Sequence, residues 1–173
     1  MEKTLSTKIV YECPIFKVEE ARVELPDGSK AKRWYVVKND AVIVICVRDE
    51  KIILLREFRS ASQSVEWRLP AGGVKDGEEP VDAGVRETRE EIGLEPLYIK
   101  LLKTFNNPSS TIKQKVHCFV ATKFKENPLN SGEPEEKLNE IKELPFEEVK
   151  KLLNDGLFSS SLASSLIFFF KQL

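Results

Sequence analysis

Residues 41–47 constrain the fold more than any other segment of this 173-residue chain, because all seven are apolar and most are β-branched. A continuous apolar run of this length is typical of a β-strand buried on both faces of its sheet. Residues 51–56 follow an acidic turn and suit a neighbouring strand. A sheet covered on both faces needs helices on both sides, so the run predicts an α/β fold.

Helical periodicity occurs in three later segments, at residues 80–92, 146–153 and about 162–171. In the first, Pro80 suits the first helical turn and Gly93 suits the C-terminal cap. The side chains predicted to face the core from this helix are those of Val81, Val85, Thr88 and Ile92. Strands are predicted at 97–105 and 116–124, so strands and helices alternate around a mixed sheet.

The N-terminal part of the chain predicts an antiparallel hairpin. Residues 21–25 and 32–37 are strand-like and flank a turn that contains Pro26 and Gly28. The chain balances 27 Lys and Arg against 28 Asp and Glu, which argues against a broadly basic, nucleic-acid-coating protein. There is no signal-peptide pattern or apolar run long enough to span a membrane. We therefore expect a cytoplasmic protein without membrane or nucleic-acid partners.

Three carboxylates, Glu87, Glu90 and Glu91, share one face near the end of the predicted helix 80–92. Like charges at this spacing repel, and the helix dipole disfavours anions at this end. An all-carboxylate cluster suits a hard divalent cation, Mg²⁺ or Mn²⁺. The alternative is a solvated acidic helix face that Arg86 and Arg89 partly neutralise.

The segment 72–94 resembles the signature of the Nudix hydrolases at every position but one. The matching positions keep the family spacing and are Gly72, Glu78, Arg86, Glu87, Glu90, Glu91, Gly93 and Leu94. The departure is Thr88, where the family has an aliphatic residue. Its methyl group can pack while its hydroxyl bonds the carbonyl of Gly84, and glycine at position 84 suggests a close approach between helix and sheet.

The resemblance implies a Nudix-type α/β/α sandwich with a mixed β-sheet and an N-terminal antiparallel β arm. The arm is expected at residues 1–37, as a dimerisation element, and the Nudix hydrolase domain at residues 38–173. The resemblance also implies metal ligation by Glu87, Glu90, Glu91 and the carbonyl of Ala71. Glu78 and Arg86 are expected to pair and to fix the loop against the helix, with Arg86 also orienting the carboxylates.

Residues 55–59 and 67–72 are similar to the corresponding segments of the ADP-ribose pyrophosphatase subgroup. This similarity implies that Arg59 lies near the substrate phosphates; the alternative is a surface salt bridge. Trp34 falls where the arm of these enzymes can carry an aromatic side chain that stacks on adenine, sometimes across the dimer. The alternative for Trp34 is ordinary packing.

Residues 107–111 resemble the proline-containing loop of the same subgroup, which places Pro108 at the substrate. This chain departs from the usual pattern at Ser109, where a glycine is common, and at Lys113 and Gln114, where acidic residues are common. The resemblance offers another candidate for the general base in the loop 133–136, because related enzymes place a mobile catalytic glutamate in the corresponding loop. Glu136 is the prediction, with Glu135 as the neighbouring alternative, and a solvated acidic loop is the competing interpretation.

These features predict hydrolysis of a nucleoside diphosphate linked to another moiety, by a metal-activated water. The preferred reaction converts ADP-ribose to AMP and ribose 5-phosphate. The alternatives within the family are another nucleoside diphosphate sugar, a dinucleoside polyphosphate, a nucleoside triphosphate or capped RNA. Outside catalysis, the alternatives are a nucleotide sensor and an interaction domain that uses the arm.

Overall fold

The apolar run at residues 41–47 forms β4 (Ala41–Arg48), the strand around which the domain is built. A computed structural model describes residues 1–107, 109–130 and 140–173. The other elements are β1 (Lys3–Cys13), β2 (Phe16–Glu24), β3 (Lys30–Val37), β5 (Lys51–Arg59), β6 (Ser64–Arg68), β7 (Ala71–Gly73), α1 (Pro80–Ile92), β8 (Leu94–Asn106), β9 (Ile112–Lys113), β10 (Lys115–Glu126), β11 (Glu140–Pro145), α2 (Phe146–Asn154) and α3 (Ser160–Phe170).

The larger sheet has seven strands. Its main path is β11-β5-β4-β10-β8, while β6 pairs with β5 and β7 pairs with β4. Strands β4 and β10 are parallel and the other pairs are antiparallel, so the sheet is mixed, as predicted. The strands β9 and β11 were not predicted from the sequence.

Helices cover both faces of this sheet, which confirms the predicted α/β/α arrangement. Alternation along β4 sends Val42, Val44 and Cys46 into a cluster with α1. Ile43 and Ile45 point the other way, into a larger cluster with α2 and α3. The unbroken apolar sequence of β4 follows directly from this double burial.

Helix α1 begins and ends at the predicted residues, and Gly93 caps it in the left-handed conformation with φ of 72°. Its buried face differs from the prediction, because Val81 is exposed while Ala83 and Gly84 are buried. A Cβ on Gly84 would lie 3.3 Å from both Val44 and Ile99. The small residues therefore let the helix backbone approach the sheet, as expected for Gly84, and this rotates Val81 outward.

The smaller sheet has the strand order β1-β2-β3-β9 and contains the predicted hairpin. Its turn closes through hydrogen bonds between Leu25 and both Gly28 and Ser29. The hairpin strands are longer than expected, and β1 begins at Lys3, where no strand was predicted. Strand β1 lies at the edge of this sheet and is exposed along nearly all of its length. No helix in the described ranges is long and apolar enough to cross a membrane.

Candidate active site

Strand β7, which contains Gly72 and Gly73, lies beside α1 and supports the carboxylate cluster. It pairs antiparallel with β4 and places Gly72 opposite Val42. The N–H of Val44 also donates to the carbonyl of Pro70, at 2.8 Å. Residues 70–73 are therefore hydrogen-bonded to the central strand of the core. The acidic side chains of α1 lie against this part of the backbone.

Arg86 is the centre of an ion-pair network between α1 and β7. Its Nε donates to Glu78 at 2.8 Å, and its Nη1 donates to Glu87 at 2.6 Å and to Glu90 at 2.9 Å. Its Nη2 donates to the second oxygen of Glu78 and to the carbonyl of Gly73, both at 2.9 Å. These partners, the Glu78 hydrogen bond foremost, raise the pKa of Arg86, so the guanidinium stays charged.

Glu78 connects this network to the loop that precedes α1. Its carboxylate accepts a hydrogen bond from the backbone N–H of Lys75 at 2.9 Å, in addition to those from Arg86. The Arg86 hydrogen bonds hold the pKa of Glu78 below its ordinary value. The structure thus brings together the Glu78 and Arg86 side chains that the sequence resemblance pairs.

Glu87 and Glu90 are largely withdrawn from solvent, with side chains 9% and 8% exposed. A Cβ on Gly72 would lie only 2.0 Å from Oε1 of Glu87, so glycine is required for this carboxylate to approach β7 so closely. The same Arg86 nitrogen contacts both carboxylates. These positions contradict the alternative of a solvated acidic helix face.

Glu91 is the least compensated member of the cluster. Its Oε2 accepts a hydrogen bond from the backbone N–H of Ala71, at 3.1 Å. Burial, reinforced by the negative charge of Glu87, raises the pKa of Glu91 well above its ordinary range. A cation at this position would relieve both effects.

The three carboxylates lie beside β7 but do not form a preorganised metal-coordination site. Within the described parts of the chain, no group of three or more His, Cys, Asp or Glu side chains converges closely enough to hold a metal ion as it stands. Glu87 and Glu90 turn towards Arg86, whereas Glu91 turns towards the N–H of Ala71. Metal ligation by these residues and by the Ala71 carbonyl stays a prediction.

Arg59 lies in a second charged group, at the end of β5. Its Nη1 contacts both carboxylate oxygens of Glu57 at 3.3 Å, and Arg68 approaches Oε2 of the same carboxylate at 3.7 Å. Sequence reasoning singled out neither Glu57 nor Arg68. Alternation along β5 could have indicated the position of Glu57, because Leu55, Glu57 and Arg59 are spaced two residues apart and so share one face of the strand. That face is the one covered by α1, since Leu55 packs in the cluster with α1.

The remaining predicted substrate residues fall in different places. Trp34 lies on β3, where its side chain is 53% exposed, so it is not a packed core residue. Pro108 and the acidic residues Glu133, Glu135 and Glu136 lie outside the described residues. A cavity of about 450 Å³ is lined by Asp40, Asn106, Ile112, Lys113, Gln114 and Lys115. A substrate role for Trp34, Pro108 or Glu136 stays a prediction.

The buried thiols do not offer an alternative nucleophile. Burial raises the pKa of Cys46 to about 12 and that of Cys118 to about 11. Both therefore remain protonated at neutral pH.

Two family models match adjacent parts of the chain. The model of the NUDIX domain matches residues 37–162, and the model described as the nucleoside diphosphate sugar hydrolase N-terminal domain matches residues 2–37. The first match covers well over half of the chain and includes the whole of α1 and β7. The second covers β1, β2 and β3.

Similar proteins match over most of their lengths. The methanol dehydrogenase activator of Bacillus methanolicus is 28% identical over 155 residues, which span 89% of this chain and 84% of that protein. The ADP-ribose pyrophosphatase of Bacillus subtilis is 29% identical over 153 residues, 88% of this chain and 83% of that protein. A crystal structure of an ADP compounds hydrolase superposes with a TM-score of 0.86 at 25% identity and covers 99% of this chain and 92% of its own.

Proposed function

The chain belongs to the Nudix family and is a Nudix pyrophosphatase, and we propose that it hydrolyses ADP-ribose to AMP and ribose 5-phosphate with Mg²⁺ or Mn²⁺. The observation that carries this choice is the match to an ADP-ribose pyrophosphatase across both the arm and the catalytic domain. The family and the ADP-compound type rest on the comparisons. The exact substrate, the products and the metal are what we propose.

The acidic residues of α1 fit a hard divalent cation. The nearby groups offer oxygen ligands, as Mg²⁺ prefers: the carboxylates of Glu87, Glu90 and Glu91 and the backbone carbonyl of Ala71. Glu91 is buried beside the charge of Glu87, and a cation would favour its ionised form. When bound, the metal would neutralise phosphate charge and acidify the attacking water.

The chain's own residues position this chemistry. Arg86 holds Glu87 and Glu90 by hydrogen bonds and is itself fixed by Glu78, so two of the three carboxylates keep their places without substrate. We assign the general base to Glu136, which would take the proton of the attacking water. Arg59 would contact the substrate phosphates as a guanidinium that Glu57 orients.

The N-terminal arm, residues 1–37, would form a homodimer and bring Trp34 to the adenine. Strand β1 is an edge strand whose exposed apolar side chains include those of Leu5, Ile9 and Tyr11. Such an edge is a template for association with a second copy. The domain 38–173 would carry the catalytic residues, and Pro108 would border the substrate. We place the enzyme in the cytoplasm, where ADP-ribose is accessible.

Product analysis of a substrate panel tests the proposed reaction. The purified chain is incubated with ADP-ribose, another nucleoside diphosphate sugar, a dinucleoside polyphosphate, a nucleoside triphosphate and capped RNA, with Mg²⁺ or with a chelator. We expect AMP and ribose 5-phosphate from ADP-ribose, and no cleavage with the chelator. Cleavage of the triphosphate while ADP-ribose stays intact would contradict the substrate assignment.

A regulatory role is the second candidate, because one relative is named as an activator of methanol dehydrogenase. A purely regulatory or sensing domain would bind nucleotides without turnover on any member of the panel. Size-exclusion chromatography with light scattering tests the arm separately. A strictly monomeric chain would contradict both the dimer and adenine stacking by Trp34 across it.

A further inference from the structure

Arg68, the last residue of β6, has a buried hydrogen-bond donor without an acceptor. Its Nε is inaccessible to solvent and has no hydrogen-bond partner within residues 1–107, 109–130 and 140–173. The nearest carboxylate oxygen, Oε2 of Glu57, is 3.7 Å away, a separation that allows ionic attraction but not a hydrogen bond. Buried donors in folded proteins are nearly always paired. This unpaired donor therefore indicates an acceptor that the described chain does not supply.

The sheet register places Arg68 on the catalytic side of the domain. Arg68 lies opposite Leu55 in the β5–β6 pair, and Leu55 packs in the cluster with α1. Three residues later, the N–H of Ala71 holds Glu91. Arg68 thus lies on the face of the sheet that carries α1, next to the Glu57–Arg59 pair.

The local charges favour an anion at this point. Arg59 contacts both oxygens of Glu57 at 3.3 Å, and Arg68 shares that same carboxylate. Glu91 balances the second guanidinium in the metal-free protein, and the cation of the proposed function would engage Glu91, which leaves two guanidinium groups with one carboxylate. The Arg68 side chain is only 19% exposed, so solvent screens its charge less than that of a surface arginine. A phosphate oxygen would then supply the missing negative charge and a hydrogen-bond acceptor for the guanidinium.

We infer that the incompletely paired guanidinium of Arg68 binds a phosphate oxygen of the substrate diphosphate, beside the carboxylates of α1. The inference rests on the proposed function, since it takes a diphosphate as the substrate. Glu57 is a positioning residue in this arrangement, because it holds the two guanidinium groups on one side of the site. Arg68 is then a determinant of diphosphate affinity, distinct from the arginine at the centre of the carboxylate network.

Steady-state kinetics of Arg68→Met, Arg68→Lys and the control Arg48→Met test the inference. Arg48 also lies in the seven-stranded sheet and pairs with a glutamate, Glu143, at 3.0 Å. We expect Arg68→Met to raise the KM for ADP-ribose by about 10-fold or more, because a hydrogen bond to a charged group is lost. Arg68→Lys should give a smaller rise, because lysine keeps the charge without the guanidinium fork. The control should keep the wild-type KM and kcat.

An unchanged KM for a folded Arg68→Met variant would overturn the inference. A loss confined to kcat would also overturn it, because Arg68 would then act on the carboxylates and not on the substrate. Circular dichroism establishes folding. If the Met variant does not fold, Arg68→Lys decides the question: a KM raised by about threefold or more supports phosphate binding, and an unchanged KM rejects it.

Calorimetric titration with inorganic pyrophosphate in Mg²⁺ buffer separates this inference from the proposed substrate. We expect the wild type and Arg48→Met to bind pyrophosphate and Arg68→Met to bind it about 10-fold more weakly or worse. If the wild type leaves ADP-ribose intact but shows this difference, the proposed substrate is wrong and the role of Arg68 stands. Equal pyrophosphate affinity in the three proteins overturns the role of Arg68 alone.

Discussion

The two sides of the carboxylate cluster differ in how completely their charges are paired. On one side, which we call the compensated half, a single guanidinium joins three carboxylates and a carbonyl; it comprises Glu78, Arg86, Glu87 and Glu90. On the other side, the open half, a carboxylate is buried with one backbone donor and a guanidinium nitrogen has no acceptor; it comprises Glu57, Arg59, Arg68 and Glu91.

This difference separates groups that are already paired from groups that gain most when a ligand binds. A fully paired group gains little from a ligand unless a partner is displaced, so Glu78 and Arg86 serve to preserve the geometry of the proposed metal ligands Glu87 and Glu90. An unpaired buried group is costly in the empty protein and gains most when a ligand arrives. We therefore expect the largest gain on binding in the open half, at Glu91 for the cation that Glu87 and Glu90 would also hold and at Arg68 for the substrate anion. Substitutions in the two halves should affect stability and activity in opposite proportions.

Glu91→Gln should have the largest effect on activity and leave stability intact. Loss of a metal-binding carboxylate removes several kcal/mol of transition-state stabilisation, so kcat should fall by about 10²- to 10³-fold. Burial raises the pKa of Glu91, so the ionised group weakens the metal-free fold above pH 4.5. Urea unfolding at neutral pH in a chelator should therefore show no loss of stability. Wild-type activity in this variant would contradict the role of Glu91, and the exposed Glu148→Gln is the control.

Arg86→Met should reduce both stability and activity, because it removes the guanidinium at the centre of the compensated half. It leaves three acidic side chains without their shared guanidinium, and breaking such a partly buried pair costs about 3 kcal/mol of unfolding free energy. Misplaced metal ligands should also lower kcat by about 10- to 100-fold. Urea titration and initial rates measure the two effects, with Arg48→Met as the control. A large loss of activity with unchanged stability would contradict this prediction, because Arg86 would then behave like the ligand-binding groups of the open half.

Gly72→Ala tests whether the position of Glu87 matters independently of stability. The added Cβ would overlap the Glu87 carboxylate, the mobile end of a side chain, so the carboxylate must move while the backbone can stay. We expect kcat to fall by about 10-fold and the unfolding free energy to change by less than about 1 kcal/mol. Gly73→Ala is the matched control, because a Cβ there meets nothing within 4 Å. Equal activity of the two variants would show that Glu87 tolerates displacement.

Much of the core fold could be predicted because its signals are local. Strand β4 is apolar at every position that is buried, and α1 is bounded by Pro80 and Gly93 at the residues where it starts and stops. Strand β1 could not be predicted in this way. Its apolar and polar side chains are nearly all exposed, so it has no buried face, and it is a strand because it pairs with β2. The prediction that Val81 faces the core was wrong, because helical periodicity was judged from the apolar residues alone. The small size of Ala83 and Gly84 determines which face of α1 approaches the sheet.

The compensated half was predictable to a greater degree than the open half. Glu78 and Arg86 lie within one continuous segment with α1, so spacing along the chain brings them together. Arg68 reaches the site through the β5–β6 register, and a slip of one residue would place it on the other face. The missing acceptor of its Nε is a property of packing that a sequence does not display.

Glu78→Gln should have the smallest effect, and its pH dependence is the test. The Arg86 guanidinium holds the pKa of Glu78 below its ordinary value of 4.5, so the ion pair stabilises the fold above that pH and is lost as the pH falls through the folded-state pKa. At neutral pH the variant should be less stable than the wild type by about 1 to 2 kcal/mol. The difference should shrink as the pH falls below 4.5 and should approach zero below the folded-state pKa, where the wild-type carboxyl is protonated in the folded protein as well. Urea unfolding at several pH values measures this, with Glu147→Gln as the control, because the Glu147 side chain is 83% exposed in its ion pair with Lys150. A difference that persists in acid would mean that Glu78 stabilises the loop by shape and neutral hydrogen bonding, and the compensated half would then owe its rigidity to Arg86, Glu87 and Glu90 alone.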